Sequence, residues 1–333
     1  AHHIIILYKK RMKTIGLFCG GYSSEYEISM KSAQLIINNF PKEYELYKIV
    51  VSEKGWYGEL SDSQMAFDMN SCELELPSGK KTLDAGIICI HGDPGENGKI
   101  QAFLDLKGIP YVNSGFESSS LSFDKYTCNQ FLKSQKIDTA KSILLRKHQL
   151  YNADHICNEL GLPLFVKPTG SGSSYGISKV YKKDELDKAI EFAFSEGEQI
   201  ILESFLEGRE LTCAVFREND KIRALPITEI ISENDFFDYD AKYNGKSKEQ
   251  TPADIDEMLA NTIQALSSEI YDLLGLRSIA RIDFILVETK PFVIEVNTIP
   301  GFSEASIVPQ MLNVAGIDLK DFWGMVIKQE LNS

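Results

Sequence analysis

Arg281, Asp283, Glu295 and Asn297 are spaced so that one β-hairpin would gather them. The run Arg281-Ile282-Asp283-Phe284-Ile285-Leu286-Val287-Glu288 leads into a turn at Thr289-Lys290-Pro291 and then Phe292-Val293-Ile294-Glu295-Val296-Asn297. Side chains along a strand alternate between its two faces. Arg281 and Asp283 therefore share a face, as do Glu295 and Asn297, while Ile282, Phe284, Ile294 and Val296 take the other. Folding about the turn sets Asp283 near Glu295. Three oxygen-bearing side chains and a guanidinium then meet on one patch with an apolar backing. Magnesium uses one or two carboxylates together with phosphate oxygens and water, so this patch suits a hard divalent cation. A solvated edge hairpin has the same composition, and other segments must separate the two readings.

Phosphate chemistry is suggested further upstream. The strand Leu162-Pro163-Leu164-Phe165-Val166-Lys167-Pro168 runs into Thr169-Gly170-Ser171-Gly172-Ser173-Ser174-Tyr175-Gly176, and a second strand follows. Glycines let backbone amides approach phosphate oxygens, and serine hydroxyls add donors. The segment lacks the G-K-[ST] ending of a Walker loop and the G-x-G-x-x-G spacing, so it reads as a glycine-rich flap or as a plain hairpin turn. Lys167 brings a positive charge toward it. The strand Gln199-Ile200-Ile201-Leu202-Glu203 enters the loop Ser204-Phe205-Leu206-Glu207-Gly208-Arg209-Glu210, which offers backbone groups to an adenine edge and an acid to ribose hydroxyls.

Polar residues also collect in the first third of the chain. Gly20-Gly21-Tyr22-Ser23-Ser24-Glu25-Tyr26-Glu27 joins a strand to a helix, with Ser24 and Glu27 at capping-box spacing. Glu25 has no such structural role, although an acid in a first helical turn is favoured by the helix dipole. His91 follows the apolar strand Ile87 to Ile90 and opens the glycine-dense loop to Gly98, a place where α/β sheets put ligands. After the hairpin, Thr298 to Ser306 supplies a backbone amide at Gly301 and a hydroxyl at Ser306, which beside Arg281 would stabilise an oxyanion. Phe237-Asp238-Tyr239-Asp240-Ala241-Lys242-Tyr243 reads as a lid or a surface loop.

The elements that must position these groups fall into three stretches. From Lys13 to about Ser122, strands (Thr14 to Cys19, Tyr44 to Val51, Ala85 to Ile90, Pro110 to Val112) alternate with helices (Glu25 to Phe40, Ile100 to Lys107), which predicts a βαβ domain with a mainly parallel sheet. A helix at Lys125 to Gln135 opens a second stretch reaching about Thr212, where strands outnumber helices, as in a small α+β domain. The remainder holds strands at Cys213 to Arg217 and Ile222 to Pro226, a long helix over Asp254 to Leu274, the hairpin, and a last helix at Leu319 to Glu330. Residues 1–11 precede Met12-Lys13-Thr14 as a leader or tag-like extension outside the fold.

Composition narrows the function. In 333 residues, 43% are hydrophobic and 25% charged, ordinary for a globular protein, and a net charge of −13 opposes general binding to nucleic acid or an anionic membrane. No apolar run approaches the length of a bilayer span. Six cysteines lie scattered without C-x-x-C spacing, as core residues in a reducing compartment. A cytoplasmic protein is expected.

In this order the segments resemble the ATP-grasp superfamily, and within it the D-alanine:D-alanine ligases, over nearly all of residues 13–325. The likeness rests on Gly20-Gly21-x-Ser-Ser-Glu25, His91-Gly with Gly95-Glu-Asn-Gly98, Phe123-Asp124-Lys125, Val166-Lys167-Pro168 with Gly172-Ser-Ser-x-Gly176, Tyr239-Asp-Ala-Lys242-Tyr243, Arg281-Ile-Asp283 and Glu295-Val-Asn297-Thr-x-Pro-Gly301. It implies three domains, with a Rossmann-like domain over 12–122 and two α+β ATP-grasp subdomains over 123–212 and 213–333 sandwiching ATP. The resemblance implies that Lys125 and Lys167 contact the phosphates beneath the flap residues Ser171, Gly172, Ser173 and Ser174, and that Glu203, Phe205, Leu206 and Glu210 hold adenine and ribose. Asp283, Glu295 and Asn297 would bind two Mg2+, with Mn2+ as an alternative. Glu25 and His91 would hold the first D-alanine and Ser306 the carboxylate of the second, while Arg281 and the Gly301 amide stabilise the tetrahedral intermediate. Ser173 and Tyr243 would bridge to Glu25, and Lys242 would reach the transferred phosphate. Tyr243 favours a dipeptide over a D-alanyl-D-lactate product, and a homodimer is implied. Ser204 and Ile299 depart slightly from the family pattern. The rival readings are another ATP-grasp carboxylate ligase and a nucleotide-binding module without catalysis; the presence of every expected metal ligand and of Arg281 argues against the second.

Overall fold

A computed structural model describes residues 11–61, 63–170, 176–232 and 247–332. The expected flap residues Ser171, Gly172, Ser173 and Ser174 and the lid residues Lys242 and Tyr243 lie outside the described residues.

Strand β1 (Thr14–Gly20) is buried along its whole length. Helix α1 (Tyr26–Asn38) and strand β2 (Glu45–Ser52) follow, and β2 pairs parallel to β1. Strands β3 (Gly55–Leu60), β4 (Ser63–Asp68), β5 (Glu73–Leu76) and β6 (Gly79–Thr82) then run as an antiparallel meander. β7 (Ala85–Ile88), helix α2 (Lys99–Leu106) and β8 (Tyr111–Val112) return to parallel pairing. The sheet order is β6-β5-β4-β3-β2-β1-β7-β8, so the sheet is mixed rather than mainly parallel as expected. The reason is connection length: parallel neighbours need a crossover of a dozen residues or so, whereas the short strands between Gly55 and Thr82 are joined by tight turns. α1 presents Ser29, Ser32, Ala33 and Ile36, spaced for one helical face, toward Ile15, Leu17 and Cys19. Phe18 points the other way, to Ile100 and Leu104 of α2. Arg11, grouped with the leader by sequence, pairs with Asp84 at 2.6 Å.

Helices α3 (Phe116–Phe123) and α4 (Lys125–Ser134) lead to a second, wholly antiparallel sheet. Its strands are β9 (Ser142–Arg146), β10 (Leu164–Pro168), β11 (Ser178–Val180) and β12 (Gln199–Ser204), ordered β11-β10-β12-β9. Helices α5 (Ala153–Leu160) and α6 (Leu186–Phe194) share an apolar core with it.

The third sheet is built on β13 (Arg209–Glu218), which pairs with β14 (Lys221–Ala224), β15 (Thr228–Ser232) and β17 (Ile279–Val287). β16 (Ser247–Gln250) and β18 (Lys290–Asn297) complete it; β15 and β16 lie where alternation predicts no strand. Helix α7 (Glu257–Leu273) is capped by Asp256, whose side chain accepts from Leu259 N–H at 2.9 Å, so it starts three residues later than the sequence pattern suggests. α7 covers one face. The other face packs with helices α8 (Ile307–Val314) and α9 (Leu319–Asn332) in a core that also contains the α1 side of the first sheet. Among the described residues no helix is long and apolar enough to cross a membrane.

Candidate active site

The β17/β18 hairpin forms as alternation predicts, with Arg281 opposite Asn297 and Asp283 opposite Glu295. Two details differ. Lys290 and Pro291 belong to β18, so the turn is only Glu288-Thr289, with Glu288 at φ 55. The register also shifts between Asp283 and Phe284, a bulge that places an extra residue on one strand. Val293 is thereby buried beside Phe284 in place of Ile294.

On the polar face Arg281 donates to Asp283 twice, from Nε to Oδ1 and from Nη2 to Oδ2, both at 2.8 Å. Asp283 also accepts from Thr212 Oγ1 at 2.6 Å and from Asn297 Nδ2 at 2.9 Å. Burial works against the charge on Arg281, but the Asp283 carboxylate more than offsets it, and the guanidinium is held above its ordinary pKa. Glu295 meets Lys125 Nζ at 2.7 Å. Burial likewise opposes the Lys125 charge, and Glu295 raises its pKa beyond the ordinary value. Asp124 fixes Lys125 by capping α4, accepting from Thr127 N–H at 2.7 Å. Lys125 N–H also donates to Thr169 O at 2.9 Å, tying the helix start to the end of β10.

Lys167 on β10 pairs with Glu203 on β12 at 2.7 Å, and Asn129 donates to the second oxygen of Glu203 at 3.0 Å. Both members of this pair are largely buried. The chain leaves β12 through Phe205 and Leu206 and enters β13 at Arg209, linking the second sheet to the third. Phe205 lies 6.0 Å from the Phe165 ring, under the Lys179 ammonium. Glu210 lies on β13 opposite Ile230 and Ile285.

A third group of side chains comes from the first sheet. His91 is buried, with Nδ1 2.9 Å from Ile299 O and Nε2 3.1 Å from Ser32 Oγ. A carbonyl only accepts, so Nδ1 carries the proton, and in the neutral ring Nε2 accepts from the Ser32 hydroxyl. Ser32 in turn accepts from Phe302 N–H at 3.2 Å. Burial pushes the His91 pKa down against the pull of Glu25, which favours that neutral form. These hydrogen bonds also tie the His91 loop to the Ile299–Phe302 segment. The expected Ser24–Glu27 capping box is absent: α1 begins at Tyr26, so Glu27 is one position too early, and Glu25 N–H donates to Ser23 Oγ at 3.2 Å. The Ser23 hydroxyl donates on to His91 O at 2.8 Å.

These groups meet around a cavity of about 260 Å³. Glu25, His91, Arg281, Glu295, Asn297, Gly301 and Ser306 all line it. Asp283 touches the lining through Arg281 and Asn297, and Lys125 through Glu295. Lys167, Glu203, Phe205, Leu206 and Glu210 stand apart, at the junction of the second and third sheets. Ser306 caps α8 without a side-chain cap bond; its Oγ accepts from Ser303 N–H at 2.9 Å and lies 3.0 Å from where a Gly301 Cβ would stand. Any residue larger than glycine at 301 would crowd that hydroxyl.

Three charged lining residues carried no role in the sequence reading. Glu96 accepts from Gly92 N–H at 3.1 Å, and burial followed by repulsion from Glu25 pushes its pKa up to about 8. Its position in the Gly95–Gly98 loop was the available signal. Lys31 projects from α1 as an ordinary exposed helix residue, and Glu249 lies on β16, whose four residues carry no alternation. Among the described residues no three of His, Cys, Asp and Glu converge as a metal site. The hairpin's donor set is instead two carboxylates and an amide, which fits magnesium completed by phosphate oxygens and water.

Comparison with known proteins agrees with this geometry. The family model for the D-ala D-ala ligase N-terminus matches residues 14–114, and that for the D-ala D-ala ligase C-terminus matches residues 131–328. A D-alanine–D-alanine ligase from Phocaeicola vulgatus is 41% identical over 321 residues, 96% of this chain and 99% of the relative. Among solved structures, D-alanyl-alanine synthetase A from Vibrio cholerae aligns with a TM-score of 0.87 at 32% identity, covering 97% of this chain and 99% of the other. The D-alanine–D-alanine ligase from Bacillus anthracis complexed with ATP aligns with a TM-score of 0.79 at 30% identity, covering 96% and 98%. The three sheets, with the cavity between the first and the third, are thus those of an ATP-grasp enzyme fold. The chain belongs to the D-alanine–D-alanine ligase family.

Proposed function

We propose that this chain joins two molecules of D-alanine into D-alanyl-D-alanine, converting ATP to ADP and phosphate, in the supply of peptidoglycan precursors. The observation that carries the reading is one cavity lined by an acid suited to an amine (Glu25) and an oxyanion-binding group (Arg281 with the Gly301 amide), with a phosphate-side cation (Lys125) paired to its lining residue Glu295.

A carboxylate is a poor electrophile, so the first D-alanine must be activated. The γ-phosphoryl group of ATP passes to its carboxylate oxygen, giving an acyl phosphate and ADP. Lys125 and Lys167 hold the nucleotide phosphates, and Glu203, Phe205, Leu206 and Glu210 hold adenine and ribose. Asp283, Glu295 and Asn297 would hold two Mg2+, which supply neutralisation of the phosphate charge when bound. Glu25 receives the ammonium of the first D-alanine, beside the neutral His91. The second D-alanine, its carboxylate held at Ser306, gives up its ammonium proton to solvent and attacks the acyl carbon as the free amine. Charge grows on the carbonyl oxygen, where Arg281 and the Gly301 N–H donate to it. Collapse expels phosphate, which takes up the proton the nitrogen sheds, and leaves the peptide bond. Ser171, Gly172, Ser173, Ser174, Lys242 and Tyr243 are assigned to closure over the site, because water would hydrolyse the acyl phosphate. We also infer a homodimer, to be checked by light scattering in solution.

The test is ADP release by purified protein given ATP, Mg2+ and D-alanine, with L-alanine and D-lactate as controls. D-alanine-dependent release supports the reading. Turnover only with a different acid replaces the substrate, and ATP binding without turnover replaces the reaction.

A further inference from the structure

Glu249 lines the cavity but has no part in the chemistry just derived. It sits on the edge strand β16, partly buried, and its Oε2 accepts from Gln310 Nε2 at 2.8 Å. The same Gln310 nitrogen lies 3.4 Å from Ala305 O, next to Ser306. Glu249 is therefore fixed at the Ser303–Ile307 end of the cavity by a side chain of α8. Electrostatics place it apart from the other acids. Glu96 responds to Glu25 and to Glu295, whereas among the described residues the charged group that acts on Glu249 is Arg281. Arg281 is already committed to Asp283 by two hydrogen bonds.

A partly buried carboxylate is costly to keep charged without a cation beside it. Burial raises the Glu249 pKa accordingly, with Gln310 and Arg281 pulling it back. A ligand entering at Ser306 brings a carboxylate to that hydroxyl. If it is an amino acid it also brings an ammonium one carbon away, which an acid on the same wall can meet.

We propose that Glu249 contacts the ammonium of the second D-alanine and so selects an amine over a hydroxyl acceptor. This rests on the ligase reading above and adds to it a specificity-determining residue. A hydroxy acid would offer Glu249 a neutral hydroxyl in place of a cation, losing a charge-assisted hydrogen bond. Such a bond corresponds to a preference of about ten- to a hundredfold.

The test uses the full chain with ATP and Mg2+, comparing wild type with Glu249→Gln and Glu249→Asp. Glutamine keeps the shape and an oxygen for Gln310 but removes the charge; aspartate keeps the charge. D-alanine is varied to separate first-site from second-site KM, and equimolar D-alanine and D-lactate are offered together with products weighed by mass spectrometry. Glu249→Gln should raise the second-site KM about ten- to a hundredfold and raise the depsipeptide share by a similar factor. The KM for ATP and the first-site KM should not move, and aspartate should recover much of the wild-type preference. A second-site KM and product ratio unchanged in Glu249→Gln overturn the proposal. So does an equal loss in every parameter that aspartate fails to recover, which marks a packing role. Wild-type protein that turns over no D-alanine would instead overturn the ligase reading, before any substitution is compared.

Discussion

Arg281 clasps Asp283 from two residues earlier on the same strand, through parallel Nε–Oδ1 and Nη2–Oδ2 hydrogen bonds of 2.8 Å each. Because both side chains are mostly buried, each is the other's main compensation for lost hydration. Removing one partner of such a pair is expected to cost about 3–5 kcal/mol. Asp283→Ala should therefore lower the urea midpoint as well as abolish turnover, while Asp283→Asn, which keeps an acceptor for Thr212 and Arg281, should lose turnover with a smaller loss of stability. An Asp283→Ala midpoint equal to wild type would show that Arg281 does not depend on this carboxylate.

Glu295 faces both the cavity and the Lys125 ammonium, 2.7 Å away. Glu295→Gln keeps the size and removes the charge. It is expected to lower kcat by about 100-fold or more and to raise the Mg2+ concentration for half-maximal rate, with excess Mg2+ restoring part of the activity. An unchanged Mg2+ requirement would remove Glu295 from the ligand set.

The N-cap of α4 offers a subtler test of phosphate binding. Asp124 caps the helix that begins with Lys125. Asp124→Ala should cost about 0.5–2 kcal/mol and raise the KM for ATP without a matching change in the KM for D-alanine, and Asp124→Asn should recover most of both. Equal shifts in the two KM values would argue that the cap supports the fold alone.

Glu96 gives the protein a pH dependence with a definite sign. Its pKa in the fold is about 8, above the unfolded value of about 4.3. Between these values the folded chain holds more protons than the unfolded chain, so this residue's contribution to stability is full below the unfolded pKa and is lost as pH rises through the folded one. In magnesium-free buffer, Glu96→Gln should gain stability relative to wild type on going from about pH 5 to about pH 9. A constant difference between the two proteins across that range would contradict a half-buried Glu96 that holds its proton.

Much of this site was legible because its geometry is local. Period-two alternation alone sets Arg281, Asp283, Glu295 and Asn297 on one face, and the register confirms it. What alternation could not show is the bulge after Asp283, which swaps Val293 for Ile294 and depends on how β18 meets α3 and α4. The meander from Gly55 to Thr82 was equally hidden: its strands are short and mostly half-exposed, so no apolar run marks them. Ser23 displaced Ser24 because contact with the His91 loop, 68 residues away in sequence, decides where α1 starts. Glu249 was unreadable for the same reason, since only the packing of β16 against α8 brings it to the cavity. Local spacing thus announced the hairpin, and long-range packing decided which further acids face the substrate.

In the proposed reaction ATP activates a carboxylate at this site before a second amine attacks it. The most direct measurement supplies D-alanine labelled with heavy oxygen in its carboxylate, with ATP and Mg2+, and weighs both products. The expected products are D-alanyl-D-alanine and inorganic phosphate that has gained one labelled oxygen, because the acyl-phosphate oxygen leaves with the phosphate. Dipeptide formed alongside unlabelled phosphate, or ADP released with no dipeptide, would contradict it.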